Sequence, residues 1–498
     1  MNEIFQNEII KQILEKYRKV WAIYHATSLL EWDLETYMPP DGVYERSIAS
    51  AELKLLARDL ILKDIAPLIE KVDIDRLNIY EKAVYRILKR SIDRLKKIPK
   101  EIQYELEKIK SEAPVVWKEA KMKDDFDMFK PYLEKIVDLN IKISEYLGYE
   151  NHPYDALLDD HEEGLRDKYV DSIFDQLIPE LKSILEKISG FGYFREHWLE
   201  RVGYDPNNAR EVNKEILNLL DFPWSSSRLD ESAHPFTISM GIKDVRITTR
   251  YEGYDFKRTL FSVMHEFGHA LYELQIDNRF RFTPLATGAS LGIHESQSRF
   301  WENIIGKNKS FVYVISPILK KHLVFLKKVS EEELYIYFNV VRPGLIRVDA
   351  DEVTYNFHIY IRYQLEKMLI GREIKVSDLP ELWNNMMEEL LGVRPNNYSE
   401  GVLQDIHWSL GEIGYFPTYT LGNILAAQIK YKMEEDLGIT IDSLVINKDG
   451  INIIKNYLKE KIHKFGSLYP PLELIEMNFG GYNPKAFIEY LKNKYLRY

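Results

Sequence analysis

The residues with the clearest chemistry form the segment HEFGH at positions 265–269 of the 498-residue chain. In a helix, His265 and His269 lie on one face, one turn from each other. Two imidazoles so placed can bind one metal ion from the same side, and Glu266 can take a proton from a water molecule there. The flanking residues are apolar and include no proline, so the sequence predicts a helix that carries a metal site.

A third ligand is available 26 residues beyond His269, in the segment LGIHESQSRFWENII. Glu295 in this segment would complete a site of two histidines and one glutamate, with the fourth position open for water. The alternative is a surface pair of histidines that is satisfied by carboxylates. Because Glu295 lies in a second apolar-flanked helical segment, we favour one bound divalent metal per chain.

Such a site predicts hydrolysis of a polarised carbonyl, in which Glu266 takes a proton from water and returns it to the leaving amine. A tyrosine or histidine from the late aromatic stretch, residues 401–423, could stabilise the oxyanion. The residues therefore indicate a metallopeptidase but leave open which end of a peptide is cut. No GxMEN-like segment of an aminopeptidase is present. A carboxypeptidase needs a fixed cation for the terminal carboxylate, and the candidates are Arg246, Arg250 and Arg347.

The composition is that of a globular protein, with 45% hydrophobic and 29% charged residues. The formal net charge is -11 and no basic block is present, which argues against a nucleic-acid partner. The chain has no cysteine, which excludes disulfides and thiolate ligands and fits a reducing compartment. No signal core and no apolar run of bilayer length occurs, so we expect a cytoplasmic protein that does not bind membranes.

Helical periodicity dominates the chain. Apolar residues from Ile4 to Tyr24 recur at three-and-four spacing, and residues 39–42, PPDG, predict a turn after this helix. Residues 76–150 predict several helices, and residues 151–164 predict a loop. Helix breaks are expected at three prolines: Pro99, Pro114 and Pro131. Four acidic residues of the expected loop are interpreted as solvated: Asp159, Asp160, Glu162 and Glu163.

Only residues 236–251, FTISMGIKDVRITTRY, predict a sheet, as a short antiparallel hairpin or meander with a turn at residues 241–244. An exposed edge strand beside the metal helix could pair with an extended substrate. His234, just before this segment, could face the site or be structural. No linker or repeat is evident, so the sequence predicts one domain over residues 1–498.

The chain resembles the carboxypeptidase Taq family of metallocarboxypeptidases over essentially its full length. The resemblance rests on segments that occur in the family order: LLEWDLETYMPPDG (29–42), HPF (234–236), DVRIT (244–248), HEFGH (265–269), HESQ (294–297), IRVDAD (346–351) and GVLQDIHW (401–408).

This resemblance implies a mostly α-helical peptidase fold with a deep groove and a small antiparallel sheet near the metal, similar to neurolysin and angiotensin-converting enzyme. It implies a homodimer that binds zinc or cobalt, and that removes C-terminal residues from peptides with broad preference but disfavours proline. The IRxxAD and GxxQDxHW motifs would close one end of the groove. Mapped on this chain, they make Arg347 the carboxylate clamp, with His407 and Asp351 beside it, and Tyr419 a candidate oxyanion donor.

Two other classes stay open. The chain could be an endopeptidase or oligopeptidase of the neurolysin type, which an open groove end would favour. It could also be a helical scaffold with a structural metal, for which four protein ligands and no water position are expected. A structural site has no need of Glu266 beside its ligand, so the sequence favours the enzyme.

Overall fold

The computed structural model describes residues 3–191 and 194–497. The described residues form twenty α-helices and three β-strands. In chain order the helices are α1 (Glu8–Thr36), α2 (Val43–Leu60), α3 (Ala66–Ile69), α4 (Ile79–Lys97), α5 (Lys100–Lys123), α6 (Phe126–Leu147), α7 (Tyr154–His161), α8 (Asp167–Gly190), α9 (Pro206–Leu219), α10 (Lys257–Leu274), α11 (Leu291–Arg299), α12 (Lys309–His322), α13 (Glu331–Phe338), α14 (Tyr355–Ile370), α15 (Leu379–Leu391), α16 (Pro417–Leu437), α17 (Ile441–Leu444), α18 (Lys448–Lys461), α19 (Pro471–Phe479) and α20 (Pro484–Leu496). The strands are β1 (Ser227–Glu231), β2 (Thr237–Gly241) and β3 (Asp244–Thr249). The mostly helical fold class is therefore confirmed.

The chain divides into two compact units, each assembled from three segments. The first unit consists of residues 1–93, 198–338 and 429–479. The second consists of residues 94–197, 339–428 and 480–498. The expectation of one domain over residues 1–498 stays a prediction.

The sheet of the first unit has the strand order β1-β3-β2. The predicted antiparallel hairpin is present, because β2 and β3 are antiparallel and are joined through residues 242 and 243. The sheet as a whole is mixed, since β1 pairs with β3 in parallel and places Leu229 beside Ile247. The sequence of β1, SRLDE, is polar and has no strand signal, so its pairing came from tertiary structure.

Helix α10 packs against β2 and β3 and against α11, so it is the element around which the first unit places its chemistry. Twelve of its residues are buried, among them Met264 and Phe267. A π-helical segment, Phe300–Gly306, continues directly from α11 and also packs on α10. Such π segments are frequent at functional sites.

The second unit contains the two long helices α5 and α6, which pack along each other. The break expected at Pro99 is confirmed, because α4 ends at Lys97 and α5 begins at Lys100. The breaks expected at Pro114 and Pro131 were wrong, because both prolines lie inside helices. A proline in a helix costs about 3 kcal/mol. We infer that packing between these helices outweighs that cost.

Residues 151–164 are not a loop throughout, because they contain α7. The apolar face of this helix is buried and includes Tyr154, Leu157 and Leu158. Burial of this face stabilises the helix, although the segment as a whole is polar. The solvated interpretation was wrong for Glu162, which is fully buried and accepts a hydrogen bond of 3.4 Å from the hydroxyl of Tyr482. Within the described residues, no helix is both long and apolar enough to cross a membrane.

Candidate metal centre

Helix α10 brings His265 and His269 to one face, as their spacing predicts. The two imidazole rings have centroids 4.9 Å apart and lie at 79° to each other. The helix is anchored by buried residues on either side of the pair, including Met264 and Ala270. The histidine positions are therefore fixed by packing of the helix as a whole.

Glu295 reaches the same face from α11. The two helices are in tight contact at Gly268, where an added Cβ would lie 2.4 Å from the carbonyl oxygen of Gln297 and 2.6 Å from the Cα of Ser298. Only a residue without a side chain permits this approach, because the clashing atoms belong to the main chain. Gly268 thus allows Glu295 to lie beside the two histidines.

The three side chains form one group of ligand atoms, all within 4.8 Å of one another. Glu295 Oε2 lies 3.6 Å from His265 Nε2 and 3.5 Å from His269 Nε2. A tetrahedral zinc ion with ligands at about 2.0–2.1 Å needs donor atoms about 3.3–3.4 Å apart. The group therefore fits a divalent ion held by two imidazoles and one carboxylate.

Charged partners orient two of these ligands from behind. Arg299 donates from Nε to Glu295 Oε1 over 2.7 Å, so Oε2 is the oxygen on the histidine side. Nδ1 of His265 lies 2.9 Å from Glu302 Oε2. Glu302 is held in turn by Arg299 at 3.1 Å and Lys307 at 3.3 Å. A carboxylate behind a ligand histidine fixes the ring and its tautomer.

Glu266 is buried and has different neighbours. The hydroxyl of Thr237, at the start of β2, donates to Glu266 Oε2 over 2.6 Å. Burial raises the pKa of Glu266 above its ordinary value, against the opposing effects of His265 and Thr237. A carboxyl group whose pKa lies closer to neutrality is suited to accept a proton and later return it.

Two of the three proposed ligand side chains, His269 and Glu295, have the protonation that metal binding requires. Burial lowers the pKa of His269 to about 3, which keeps its imidazole neutral. Burial alone would raise the pKa of Glu295, but Arg299 and the two histidines outweigh it and hold that pKa well below its ordinary value. For His265, burial is outweighed by Glu295 and Glu302, which raise its pKa.

The residues of the IRxxAD and GxxQDxHW motifs form a separate cluster in the second unit. Arg347 is 6% exposed and donates from Nε to Asp405 Oδ1 over 2.9 Å and from Nη1 to the hydroxyl of Tyr355 over 2.9 Å. Its Nη2 lies 2.9 Å from the same Asp405 oxygen. Arg362 pairs with the other oxygen, Oδ2, at 2.6 Å. The two guanidinium groups outweigh the effect of burial and hold the pKa of Asp405 far below its ordinary value.

His407 and Tyr419 belong to this second cluster. His407 Nε2 lies 3.2 Å from the hydroxyl of Tyr419, and the Arg347 guanidinium lies 5.2 Å from the centre of the Tyr419 ring. Burial, reinforced by Arg347, lowers the pKa of His407 to about 3. Among the described residues, the buried Nδ1 of His407 has no hydrogen-bond partner.

The other three predicted site residues, Asp351, Arg246 and His234, form contacts with neighbouring protein groups that explain their positions without a substrate. Asp351 accepts hydrogen bonds from the main-chain N–H groups of Arg342, Val353 and Thr354 and shapes the turn before α14. Arg246 forms two hydrogen bonds of 2.9 Å with Asp244 and lies 4.3 Å from the centre of the Trp32 ring. His234 is exposed, and its main-chain carbonyl accepts from Ser232. Their roles toward substrate stay predictions.

Sequence reasoning missed several residues that contact the centre. Arg299 and Glu302 follow Glu295 by four and seven residues, a spacing that keeps side chains on one helical face and could have identified them. Thr237 lies in a strand 29 residues before Glu266, and no local pattern connects them. Asp405 stands inside the segment GVLQDIHW, but only its pairing with two buried arginines shows its importance.

The family can now be assigned. The sequence model of the carboxypeptidase Taq (M32) metallopeptidase family matches residues 12–495 of the chain. The chain belongs to this family. The family resemblance seen in the motifs is thereby confirmed, and the chain is a metallocarboxypeptidase.

Other M32 proteins are similar to this chain over at least 97% of its length. Thermostable carboxypeptidase 1 of Pyrococcus furiosus is 52% identical over 501 residues, which span 100% of both chains. Carboxypeptidase 1 of Bacillus subtilis is 37% identical and covers 97% of each chain. The solved structure of Pyrococcus furiosus carboxypeptidase, in an Apo-Mg form, has a TM-score of 0.96 at 52% identity and covers 99% of this chain and 100% of that one.

Proposed function

We propose that this M32 protein removes single residues from the C-termini of peptides, using one divalent metal held by His265, His269 and Glu295. The observation that carries the proposal is the group formed by these three side chains, whose ligand atoms all lie within 4.8 Å, with Glu266 next to the first of them. Three protein ligands leave a position for water, as in catalytic sites. The proposed metal is zinc, with cobalt as the alternative.

The donor set supports a divalent metal of this kind, because imidazole nitrogens and one carboxylate are typical zinc ligands. When bound, the ion would polarise the carbonyl of the scissile bond and lower the pKa of a water molecule. His269, neutral at physiological pH, offers a lone pair without first losing a proton. Glu295, ionised at physiological pH, supplies the negative charge.

Glu266 is the proposed general base and acid. Its carboxylate would take a proton from the attacking water and pass it to the leaving amine. Thr237 holds one carboxylate oxygen at 2.6 Å, which restricts rotation of the group. The raised pKa supports the first transfer, because it makes the carboxylate a stronger base for the proton of the attacking water.

Arg347 is the proposed clamp for the terminal carboxylate of the substrate. A guanidinium has five N–H groups, and the contacts with Asp405 and Tyr355 use three of them. The remaining donors can form the paired hydrogen bonds that suit a carboxylate. Because Arg362 shares Asp405, two positive charges face one negative charge, and the excess favours an anionic ligand.

Other assignments rest on the motif resemblance. His407 would assist Arg347 in binding the substrate, and Tyr419 would stabilise the oxyanion. Asp351, Arg246 and His234 have weaker support, because their observed contacts are structural. A broad residue preference that disfavours proline and a homodimeric assembly complete the proposal on the basis of the same resemblance. The cytoplasmic location is proposed from the absence of cysteine and of a signal core in the sequence.

The experiment compares one peptide with a free and an amidated C-terminus, with products identified by mass spectrometry. The unaltered protein should release single C-terminal residues from the free acid and act poorly on the amide. Arg347→Ala should lower kcat/KM on the free acid about a hundredfold, because a charged pair worth a few kcal/mol is lost. Its activity on the amide should scarcely change.

Arg347→Lys is the matched variant, since it keeps the charge but loses the paired hydrogen-bond geometry. It should recover only part of the loss. If Arg347 only braces Asp405, both activities and the thermal stability should fall together in Arg347→Ala. Internal cleavage at equal rates on both peptides would contradict the assignment as a carboxypeptidase.

A further inference from the structure

A chain of polar side chains leads away from His269 and ends on a carboxylate. His269 Nδ1 lies 2.7 Å from Nδ1 of His294, the residue before the third ligand. His294 Nε2 lies 3.0 Å from Glu273 Oε1. The arrangement differs from that at His265, whose Nδ1 contacts the carboxylate of Glu302 directly. A second imidazole therefore stands between His269 and its carboxylate.

The positions of the protons follow from the partners. A carboxylate only accepts, so Nε2 of His294 must donate to Glu273. A neutral imidazole has one donor and one acceptor nitrogen, so Nδ1 of His294 accepts. Nδ1 of His269 must then donate, which leaves the lone pair on His269 Nε2. This is the nitrogen on the side of Glu295, at 3.5 Å.

Neighbouring groups hold Glu273 and His294 in this orientation toward His269, and the three residues together form the relay. Glu273 is 4% exposed, and its Oε1 also accepts the main-chain N–H of Gly288 over 2.9 Å. The ring of His294 packs against Tyr272 at 5.0 Å between centroids. On another side it contacts Gly288, where an added Cβ would lie 2.7 Å from His294 Cδ2. Tyr272 and Gly288 thus confine the imidazole on two sides.

We propose that Glu273 and His294 are positioning residues that fix the tautomer of His269 and thereby set the affinity of the centre for its metal. The inference rests on the proposed metal site and adds two residues that do not touch the ion. With the opposite tautomer, a hydrogen on Nε2 of His269 would occupy the ligand position. Loss of a partner behind a ligand histidine typically weakens metal binding by about 10–100-fold.

Two substitutions at His294 replace the imidazole by an amide, but only one of them places the amide within reach of His269. In His294→Asn, the amide lies where Nδ1 was and can still accept from His269. In His294→Gln, the amide lies at the position of Nε2 and leaves His269 without its acceptor. Zinc affinity, measured by competition with a chelator, should fall about 10–100-fold in the glutamine variant and much less in the asparagine variant.

The other end of the relay gives a second pair. Glu273→Gln can keep its carbonyl oxygen in place of Oε1, so it should bind zinc almost as tightly as the unaltered chain. Glu273→Leu removes the acceptor and should lose affinity to the same degree as His294→Gln. The two pairs are independent, so the comparison survives if one variant fails to fold.

His463→Gln is the control for loss of a buried histidine. His463 is fully buried and also bridges two side chains, with Nδ1 2.7 Å from Gln275 and Nε2 2.7 Å from Gln297, but it touches no ligand. This variant should lower the melting temperature of the metal-free protein and leave zinc affinity unchanged. Equal zinc affinity in His294→Asn and His294→Gln would overturn the proposal.

A further variant, His269→Ala, shows whether a negative result contradicts only the role of Glu273 and His294 or the metal site as well. His269→Ala removes the ligand and should abolish tight zinc binding. If it does so while the relay variants bind zinc normally, the relay is wrong and the site stands. If His269→Ala also binds zinc as tightly as the unaltered chain, both proposals fall.

Discussion

Three glutamates, of which Glu266 and Glu295 are buried and Glu302 is half-buried, meet in the proposed metal centre, and their neighbours separate their chemistry. Glu295 and Glu302 share Arg299, and Glu302 also contacts Lys307, so both carboxylates are held ionised with lowered pKa values. Glu266 has the hydroxyl of Thr237 instead of a cation, and burial raises its pKa. Groups whose pKa values are pushed apart in this way take different roles in a reaction. The proposed base, Glu266, and the proposed ligand, Glu295, are thus distinguished by their partners.

Glu266→Gln should separate catalysis from metal binding. The amide keeps the size of the side chain but cannot take a proton, so turnover should fall by about two to four orders of magnitude. Because Glu266 is not a ligand in the proposed site, metal content should match that of the unaltered protein. Steady-state rates and elemental analysis of the purified variant check both statements.

Glu81→Gln is the matched control for this substitution. Glu81 is a buried glutamate of the same unit that accepts main-chain N–H groups of Gln6, Asn7 and Asn78. Its variant should lose stability and keep its rate per folded molecule. A Glu266→Gln enzyme within tenfold of the unaltered one would show that another group acts as the base.

At the level of helices, the site depends on how closely α10 and α11 approach. Spacing in the sequence predicts that two histidines share a face, because helix geometry is local. Glu295 was named from its own apolar-flanked helical segment, but its position beside the histidines depends on the contact between α10 and α11 at Gly268, which sequence spacing does not show. Gly268 lies inside the motif HEFGH. The motif indicates a metal site but does not show that this glycine allows α11 to pack against α10.

Gly268→Ala should therefore disturb both stability and metal binding. The new Cβ would overlap main-chain atoms of Gln297 and Ser298, which cannot rotate away. Overpacking of this kind costs about 1–3 kcal/mol, and a displaced α11 would move Glu295 from the histidines. Thermal unfolding and zinc titration of the variant measure the two effects.

Gly450→Ala is the control, because its Cβ would meet the carbonyl of Leu444 in α17, an element without a proposed ligand. It should lose stability and keep its zinc affinity. Normal zinc affinity in Gly268→Ala would mean that the approach of α11 at Gly268 does not place Glu295.

The same contrast between local and tertiary causes explains which elements could be predicted. The hairpin of β2 and β3 was found because alternation and a turn are local signals. Strand β1 was missed because its pairing with β3, and not its polar sequence, makes it a strand. Pro114 and Pro131 suggested breaks because the sequence shows the cost of a proline but not the packing that outweighs it.

Over the whole molecule, the predicted chemistry divides between the two compact units. The proposed ligands, Glu266 and the residues behind them all belong to the first unit, whereas Arg347, Asp405 and His407 belong to the second. Each cluster is built from residues far apart in the sequence. Motifs identified the proposed ligands, Glu266, Arg347 and His407, but only the fold shows that Asp405 links Arg347 to Arg362.

Metal binding should be visible in the stability of the folded chain. An ion that binds only the native state adds RT ln(1 + [L]/Kd) to the free energy of unfolding, about 4.1 kcal/mol at a thousand times Kd. Three ligands from α10 and α11 would be linked by such an ion, so zinc should raise the temperature at which the first unit unfolds. Calorimetry at increasing free zinc, after treatment with a chelator, measures this rise.

The ligand variants decide whether the stabilisation comes from the proposed site. His269→Ala and Glu295→Ala each remove one donor, so their unfolding temperatures should no longer depend on zinc. Hydrogen exchange in α10 and α11 should slow with zinc only in the unaltered chain, because local opening of these helices would release the ion. A zinc-dependent rise that persists in both variants would place the ion elsewhere, and no rise in the unaltered chain would contradict binding to the native state.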